Sequence, residues 1–443
     1  MKKIKSLLKP LLDQAPWLLD LYHRSKGISA AMLHGFPSSK MIVIGITGTN
    51  GKTTVANFLG HILEANQSKV GLATTINMWT GNKKWVNETK MTTLTPFALQ
   101  GLLRQMVNAK CKYAIVETTS HALSQHRTWG IFYDVAVFTN LTHDHLDYHK
   151  TMENYKEAKG LLFKNLTNNL RKPNMPKVAI INADDPAQDY FKSFASDETH
   201  TFAIDNIHTV KSPDQSIWAS NLKLTQAGTK FTLNTPRDKT EIELKLVGHF
   251  NVSNALAAAA AAYALGIDLN TIKAGLESLW HIPGRMESIP NQLGANIVID
   301  YAHTPDGFTK VFESLKPITR NKLIAVFGAA GDRDKTKRPI LGQIASKYAD
   351  YIVLTEEDPA SEDPKDIINQ IQTGINPEKF IQDNNLKIII DRTDAIKQAL
   401  SIAEPGDTVL LLAIGAQTVM IKDGKKTPYN ERSTVENILQ SMS

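Results

Sequence analysis

Several protein classes are excluded by what this chain has little of. Cys111 is the only cysteine in 443 residues. Neither an internal disulfide nor a cysteine-based zinc cluster can form, and a reducing cytoplasm is the expected compartment. No apolar run approaches the roughly eighteen residues needed to span a bilayer. The nearest, Ala255–Ile267, is alanine-rich and reads as a helix packed closely against its neighbours. Charge is only mildly unbalanced, 50 basic against 44 acidic residues for a net +6. That excess suits anionic small molecules as well as nucleic acid or anionic lipid. Outside the first forty residues no basic stripe with interleaved stacking aromatics occurs, so nucleic acid is not an expected partner. Internal repeats and low-complexity tracts are absent too. The length exceeds what one compact core organises, which predicts two domains.

What is present centres on Met41–Thr54, MIVIGITGTNGKTT. Met41–Ile46 is a short apolar run of the kind that forms a buried parallel strand, and Val55–Glu64 carries apolar residues at helical spacing. Between them lie Gly48-Thr49-Asn50-Gly51-Lys52-Thr53-Thr54. A strand, a glycine turn and a helix start make a phosphate cradle: glycines let backbone N–H groups approach an oligophosphate, and the helix N-terminus adds partial positive charge. Lys52 can reach the outer phosphates, and the Thr53 hydroxyl can ligate Mg²⁺. Gly45, Gly48 and Gly51 stand three apart, giving GxxGxxGKT instead of the common GxxxxGK[ST].

The remaining pattern predicts an α/β protein. Ile42–Ile46, Tyr113–Val116, Val135–Thr139 and Val178–Asn182 read as strands of a mostly parallel sheet separated by helices. Lys230–Asn234 and Glu241–Leu246 alternate and read as antiparallel strands at its edge, before a helix over Gly248–Gly266. Ile282-Pro283-Gly284 marks a boundary. Beyond it Ile297–Asp300, Leu323–Phe327, Tyr351–Leu354, Lys387–Ile390 and Thr408–Ala413 alternate with helices as in a Rossmann-like domain, and Lys422–Thr427 reads as a hairpin around Gly424. The expected division is 1–40, 41–281 and 282–443. The first forty residues carry seven Lys or Arg against Asp13 and Asp20, interleaved with Leu7, Leu8, Leu11, Leu12, Trp17, Leu18, Leu19, Leu21 and Tyr22. Asp13 and Pro16 interrupt the apolar run, so this is not a signal peptide. It fits either a helical extension packed on the next domain or a basic amphipathic helix in peripheral contact with a membrane.

Further polar clusters fall at strand ends, where open α/β sheets bind ligands. Glu117-Thr118-Thr119-Ser120-His121 follows one strand, and its carboxylate can hold Mg²⁺, which demands oxygen ligands. Asn140–His149 packs three histidines and two aspartates into seven residues; zinc fits the ligand types, but beside a phosphate loop Mg²⁺ and substrate positioning fit better. Lys159 in the next helix reads, by itself, as a surface residue. Asp300–Asp306 and Phe327–Asp334 follow strands of the second domain.

In order and spacing, TGTNGKTT, ETTSHAL, NLTHDHLDYH, MENYKEAK, NADD, GHFNVSNALAA, GRME, DYAHTPD and FGAAGDRDKTKRP resemble the Mur ligases, most of all the MurE branch, which adds the third amino acid of the peptidoglycan stem peptide. The resemblance runs from about Ile42 to the C-terminus. It implies a central ATPase domain, a Rossmann-like domain presenting the amino acid, ATP, two Mg²⁺ ions and an acyl-phosphate intermediate, in a monomer acting on a muropeptide precursor. It implies that Gly48–Thr54 cradle ATP, with Lys52 on the β/γ-phosphates. Thr53 and Glu117 would hold one Mg²⁺, and His145 the second with Lys159, the lysine that the family carbamylates. Asn251 and Asn254 would flank adenine, and Arg285 and Asp300 would hold ATP from the second domain. Thr92, Thr93, Ser120 and Arg127 would grip the acceptor peptide.

Two departures stand out. Only about forty residues precede the phosphate loop, without the α/β pattern of the family's UDP-binding domain, which makes a lipid-linked acceptor an alternative to a UDP-linked one. The amino-acid loop is also altered. Diaminopimelate-adding members carry DNPR, where this chain has Glu357-Asp358-Pro359-Ala360, and the family's GKGHE becomes Ala413-Ile414-Gly415-Ala416-Gln417. Ala360 cannot pair with a distal carboxylate, Asp358 would attract a cation, and Gln417 replaces a glutamate. These favour lysine or another basic amino acid over diaminopimelate. A folylpolyglutamate synthase shares the two domains, but NGKTT stands where it would have NGKGS. A non-catalytic nucleotide-binding protein would not need Lys52, Thr53, Glu117, His145 and Lys159 together.

Overall fold

In the computed structural model, residues 16–168, 170–204, 215–225, 228–422 and 424–442 are described. The first fifteen residues of the basic leader lie outside them. Two large sheets organise the chain. The first has eleven strands: β1 (Ile42–Thr47), β2 (Val70–Ala73), β3 (Asn77–Thr80), β4 (Lys83–Val86), β5 (Tyr113–Glu117), β6 (Val135–Phe138), β7 (Val178–Asn182), β8 (Glu198–Ile204), β9 (Ser216–Thr225), β10 (Gly228–Asn234) and β11 (Lys239–Leu244). Their order is β11-β10-β9-β8-β7-β6-β1-β5-β2-β3-β4. From β9 to β2 every pairing is parallel, and both edges end in antiparallel strands. β1, β5, β6 and β7 are almost wholly buried, which is why they read as continuous apolar runs.

Helices cover both faces. Lys52–Ala65 packs with His249–Ala264 and Leu269–Ser278 on one side. Ala255–Ala262 are all fully buried, so the alanine-rich run is the tight packing helix the sequence predicts. The other face is covered by Pro96–Asn108 and Met152–Asn168, and Pro16–Leu33 lies outside Pro96–Asn108.

The chain then enters a six-stranded sheet: β12 (Glu287–Ile289), β13 (Asn296–Asp300), β14 (Leu323–Phe327), β15 (Tyr351–Leu354), β16 (Leu386–Ile388) and β17 (Thr408–Leu412), ordered β12-β13-β17-β14-β15-β16 and parallel except for β12. A hairpin, β18 (Val419–Lys422) with β19 (Lys425–Pro428), follows. Sequence periodicity misses β2 to β4 and β12, each only three or four residues long and too short to show a period. It also places the strand of residues 387–390 late: β16 ends at Ile388, and the N–H of Ile389 still bonds Leu354 O.

Candidate active site

The carboxyl ends of β1, β5 and β6 meet at the glycine loop. Gly51 adopts φ +86°, and a Cβ there would lie 2.2 Å from Asn254 Oδ1; a Cβ on Gly48 would lie 1.9 Å from Thr139 Oγ1. Both positions are closed to any other residue. The loop is also tied from outside: Thr49 N donates to Asn140 O at 2.8 Å, and Asn50 N to Asn140 Oδ1 at 2.9 Å.

Three side chains meet at the start of the helix Lys52–Ala65. Thr53 Oγ1 donates to Glu117 Oε2 at 2.9 Å, and Thr75 donates to the same oxygen from its N–H at 2.9 Å and its hydroxyl at 3.1 Å. Among the described residues no donor reaches Glu117 Oε1. Thr53 and Glu117 are each 2 % exposed. A hydroxyl and a carboxylate with a spare oxygen form an all-oxygen donor pair that suits Mg²⁺. No three His, Cys, Asp or Glu side chains converge to hold an ion among the described residues. An ion here would therefore complete its shell from phosphate oxygens and water, as Mg²⁺ commonly does.

Lys159 is not the surface residue its helix position alone suggests. It is 1 % exposed, its Nζ donates to Gly48 O at 2.7 Å, and it sits 4.1 Å from the centre of the Tyr155 ring. Lys52 Nζ donates to the same carbonyl at 3.0 Å and to Thr49 O at 2.8 Å. Burial, then repulsion from Lys52, pulls the Lys159 pKa well below that of a free lysine; burial also lowers that of Lys52. Two lysine side chains share one backbone oxygen, and each is destabilised as a cation by burial. His145 sits in the left-handed region at φ 55° with its ring 4.8 Å from that of His121. Burial holds His145 down at about 4 and His121 at about 3, so both rings are neutral near pH 7.

A cavity of about 650 Å³ opens between the two sheets beside this loop. Asn50, Gly51, Thr54, Asn254, Arg285 and Asp300 line it. Arg285 stacks 4.6 Å from the Tyr301 ring centre, and its buried Nε has no hydrogen-bond partner. Asp300 accepts from Met286 N at 2.8 Å and Ala302 N at 2.7 Å, and burial raises its pKa. Asn251 does not line the cavity. Its amide donates to Val247 O and its Oδ1 accepts from Asn254, so it steadies Asn254 from behind.

The acceptor candidates cluster at the other side of Glu117. Thr92 Oγ1 accepts from Thr75, Thr93 Oγ1 donates to Glu117 O, Ser120 Oγ pairs with His149 Nε2, and Arg127 Nη1 donates to Thr93 O. In the loop after β15, Asp358 (φ 32°) and Ala360 (φ 55°) both take positive φ. Ala360 bonds the hairpin through its N–H to Ile421 O. Asp358 was expected to attract a cation, and it does, but the cation is the chain's own: Lys90 Nζ lies 3.2 Å from Asp358 Oδ2, while Ile421 N holds Oδ1. Gln417 lies in the turn between β17 and β18, with its N–H on Ile414 O.

Sequence reasoning gave no role to Thr75, Lys90 and Lys337, although Lys337 falls within FGAAGDRDKTKRP. Each acts through a partner distant in sequence. Lys337 caps His303 O, and together with His303 it faces Asp144 across the cleft. Burial pushes the Asp144 pKa up, yet the charges of His145, His303 and Lys337 in their protonated forms outweigh it, and the net shift is downward. Asn50 Nδ2 also crosses the cleft to Asp306 Oδ2 at 2.8 Å.

Two family descriptions match, the Mur ligase middle domain over residues 46–262 and the glutamate ligase domain of Mur ligases over 284–415. The chain belongs to the Mur ligase family. It is 39 % identical over 417 residues to a UDP-N-acetylmuramoyl-L-alanyl-D-glutamate–2,6-diaminopimelate ligase of Bacillus cereus, covering 94 % of this chain and 82 % of the relative. It is 38 % identical to a UDP-N-acetylmuramyl-tripeptide synthetase of Roseiflexus, covering 93 % and 81 %. A solved diaminopimelate ligase structure aligns with TM-score 0.61 at 32 % identity, over 91 % of this chain and 79 % of the other. A folylpolyglutamate synthase of Mycobacterium tuberculosis complexed with ADP shares the fold, at TM-score 0.68 and 19 % identity over 91 % and 95 %.

Proposed function

We propose that this chain is an ATP-dependent ligase that adds the third amino acid, lysine or diaminopimelate, to a UDP-MurNAc-L-Ala-D-Glu-type acceptor in the cytoplasm. The observation that carries it is the joint geometry of Lys52, Thr53, Glu117 and Lys159 around the glycine loop, opening on a cavity between the two sheets. Residues 41–281 form the nucleotide domain and 282–443 the domain that closes over it, in a monomer.

The chemistry brings two anions together. The acceptor carboxylate attacks the γ-phosphorus, the bond to the β-phosphate oxygen breaks, and ADP leaves. Lys52 neutralises the phosphate oxygens as charge shifts to the leaving group. Thr53 and Glu117 would hold one Mg²⁺, which supplies further neutralisation of those oxygens. The incoming amine then attacks the acyl carbon and inorganic phosphate leaves. Placing that amine is mainly proximity, worth up to about 7–11 kcal/mol in favourable cases. Asn50 with Asp306, and Lys90 with Asp358, join the two domains across the cleft, and closure of the cleft would keep water from the acyl phosphate.

A second Mg²⁺ beside His145 does not fit Lys159 as an amine, which donates and carries no lone pair for a metal when protonated. It fits Lys159 as a carbamate. The lowered pKa leaves more neutral amine, whose lone pair attacks CO₂; an N–C bond forms and one proton leaves to solvent. The product is an anion with oxygen donors. Thr92, Thr93, Ser120 and Arg127 line the acceptor side. The preference for a basic amino acid rests on Ala360 and Gln417, because Asp358 is neutralised by Lys90.

The test is ATP-dependent phosphate release with UDP-MurNAc-L-Ala-D-Glu and a panel of lysine, ornithine, diaminopimelate and glutamate, followed by mass analysis. The proposal expects a product one amino acid heavier. Phosphate release only with a lipid-linked or folate acceptor would replace it.

A further inference from the structure

The loop that carries Thr92 and Thr93 touches Glu117 at two points. Thr93 Oγ1 donates to the Glu117 backbone carbonyl at 2.8 Å and accepts from Thr119 N at 3.0 Å, which fixes the strand end. Thr92 reaches the Glu117 carboxylate only through Thr75. The Thr75 hydroxyl lies 3.1 Å from Glu117 Oε2 and 2.9 Å from Thr92 Oγ1. A hydroxyl carries one proton, so it donates to one of these oxygens at a time. The bond to Glu117 is charge-assisted and the stronger of the two. Thr75 then accepts the proton of Thr92. The Thr75 hydroxyl has no part in holding its own turn. Thr74 stitches the turn between β2 and β3: its Oγ1 accepts from Ile76 N at 3.2 Å and Asn77 N at 3.0 Å, and lies 2.6 Å from Asn77 Oδ1. Thr75 N–H stays on Glu117 Oε2 at 2.9 Å whichever way the hydroxyl points, and Thr53 Oγ1 holds the same oxygen at 2.9 Å. The carboxylate therefore keeps its place when one bond is lost. Glu117 is buried, whereas Thr75 and Thr92 are partly exposed, so Thr92 is open to a ligand.

We propose that Thr75 is a positioning residue whose hydroxyl couples acceptor binding to the Mg²⁺ carboxylate. With the acceptor site empty it donates to Glu117 Oε2; when an anionic group of the acceptor takes the Thr92 proton, it turns to Thr92 and releases that oxygen. The inference rests on the proposed reading of Thr92 as an acceptor contact and of Glu117 as a Mg²⁺ ligand. Once Thr92 donates to a carboxylate, its oxygen presents only lone pairs to Thr75. Two oxygens 2.9 Å apart with no proton between them repel, so the Thr75 proton rotates in. No proton leaves its oxygen; two hydroxyls turn. Glu117 Oε2 is then left with two donors, Thr53 Oγ1 and Thr75 N, in place of three. The carboxylate offers more negative charge to a cation, as outer hydrogen bonds to a metal-binding carboxylate tune its hold on the ion. A bound acceptor thus tightens Mg²⁺, and by reciprocity Mg²⁺ tightens the acceptor by the same factor.

The experiment is calorimetric titration of Mg²⁺ into the full chain with one equivalent of β,γ-methylene-ATP, with and without UDP-MurNAc-L-Ala-D-Glu. No amino acid is added, so nothing turns over. The quantity read is the ratio of the two Mg²⁺ dissociation constants. Wild type is compared with Thr75→Val, which keeps the backbone N–H and the branched shape but loses the hydroxyl, and with Thr75→Ser, which restores it. The tightening of Mg²⁺ by the acceptor should be about fivefold greater in wild type than in Thr75→Val, a modest coupling between sites. Thr75→Ser should match wild type. Direct attraction between acceptor and ion is common to all three proteins and cancels in the comparison. A lost packing contact alone would change Mg²⁺ binding alike with and without acceptor and leave the ratio unmoved. If Thr75→Val fails to fold, Thr92→Val cuts the relay at its other end and should lower the ratio in the same way. Equal ratios in wild type and the folded valine variant overturn the relay and leave the acceptor reading standing. Failure of wild type to bind UDP-MurNAc-L-Ala-D-Glu overturns that reading, and the relay with it.

Discussion

The two ends of the cleft contrast in where their partners come from. At the phosphate end, Thr53, Glu117 and Lys159 are 2 %, 2 % and 1 % exposed, and their hydrogen bonds stay within elements of the first sheet. At the amino-acid end, Lys90 and Asp358 are 21 % and 20 % exposed as side chains, and their bridge joins a loop of the first sheet to a loop of the second. Buried groups inside one rigid sheet are preorganised and hold their geometry whatever the other domain does. A partly exposed bridge between sheets can exchange partners, because near water it is worth only about 0–1 kcal/mol. In the proposed mechanism the phosphate end fixes the reaction, and the amino-acid end is where selectivity can change cheaply.

The contrast predicts very unequal mutational costs. Lys52→Ala should lower kcat by about a thousandfold or more with little change in acceptor KM, since the charge it supplies is felt mainly in the transition state. Glu117→Gln should cost about a hundredfold and raise the Mg²⁺ concentration needed for half-maximal rate, measured by Mg²⁺ titration. Lys159→Ala should cost a similar factor, and Lys159→Glu, which keeps an anionic oxygen, should recover part of it; equal loss in both would contradict the carbamate. At the other end, Lys90→Ala should leave kcat within a fewfold and shift preference toward lysine over diaminopimelate by about fivefold, by unmasking Asp358. Ala360→Arg should shift it the other way. Unchanged preference in both would move the amino-acid pocket elsewhere.

The smallest effect concerns stability. His303 sits at about 4 in the folded chain, held down by burial and by Lys337, against an ordinary 6.5. Between those values the unfolded chain takes up a proton that the folded chain does not. Stability is therefore full above pH 6.5 and falls as pH drops toward 4. One such histidine accounts for about 1 kcal/mol at pH 5.5. His303→Gln should remove that share of the pH dependence in denaturant unfolding at pH 7.5 and 5.5.

The same contrast governs what could be read from the sequence. The glycine loop, Glu117 after β5 and the buried strands were legible because each is a local pattern: an apolar run, a glycine spacing, a carboxylate at a strand end. Lys159 was not legible from its own surroundings, since Ala158 and Gly160 on either side of it carry no signal of burial; only its place in the family's motif marked it, and burial against Gly48 is a tertiary fact. Thr75 and Lys90 carried no signal at all. They sit in or beside the short strands β2 to β4, which have no readable period, and their partners, Glu117 and Asp358, are far along the chain. Asn251 shares its motif with Asn254, but its side chain is bound to Val247 O and Asn254, and only Asn254 lines the cavity.

In the proposed mechanism Lys52, Thr53 and Glu117 promote transfer of a phosphoryl group to a carboxylate. The direct measurement is to label the acceptor's free carboxylate with oxygen-18 and follow the label during turnover. One labelled oxygen should appear in the released inorganic phosphate for each amide bond formed, and the transfer should vanish in Lys52→Ala. Amide formation with unlabelled phosphate would contradict it.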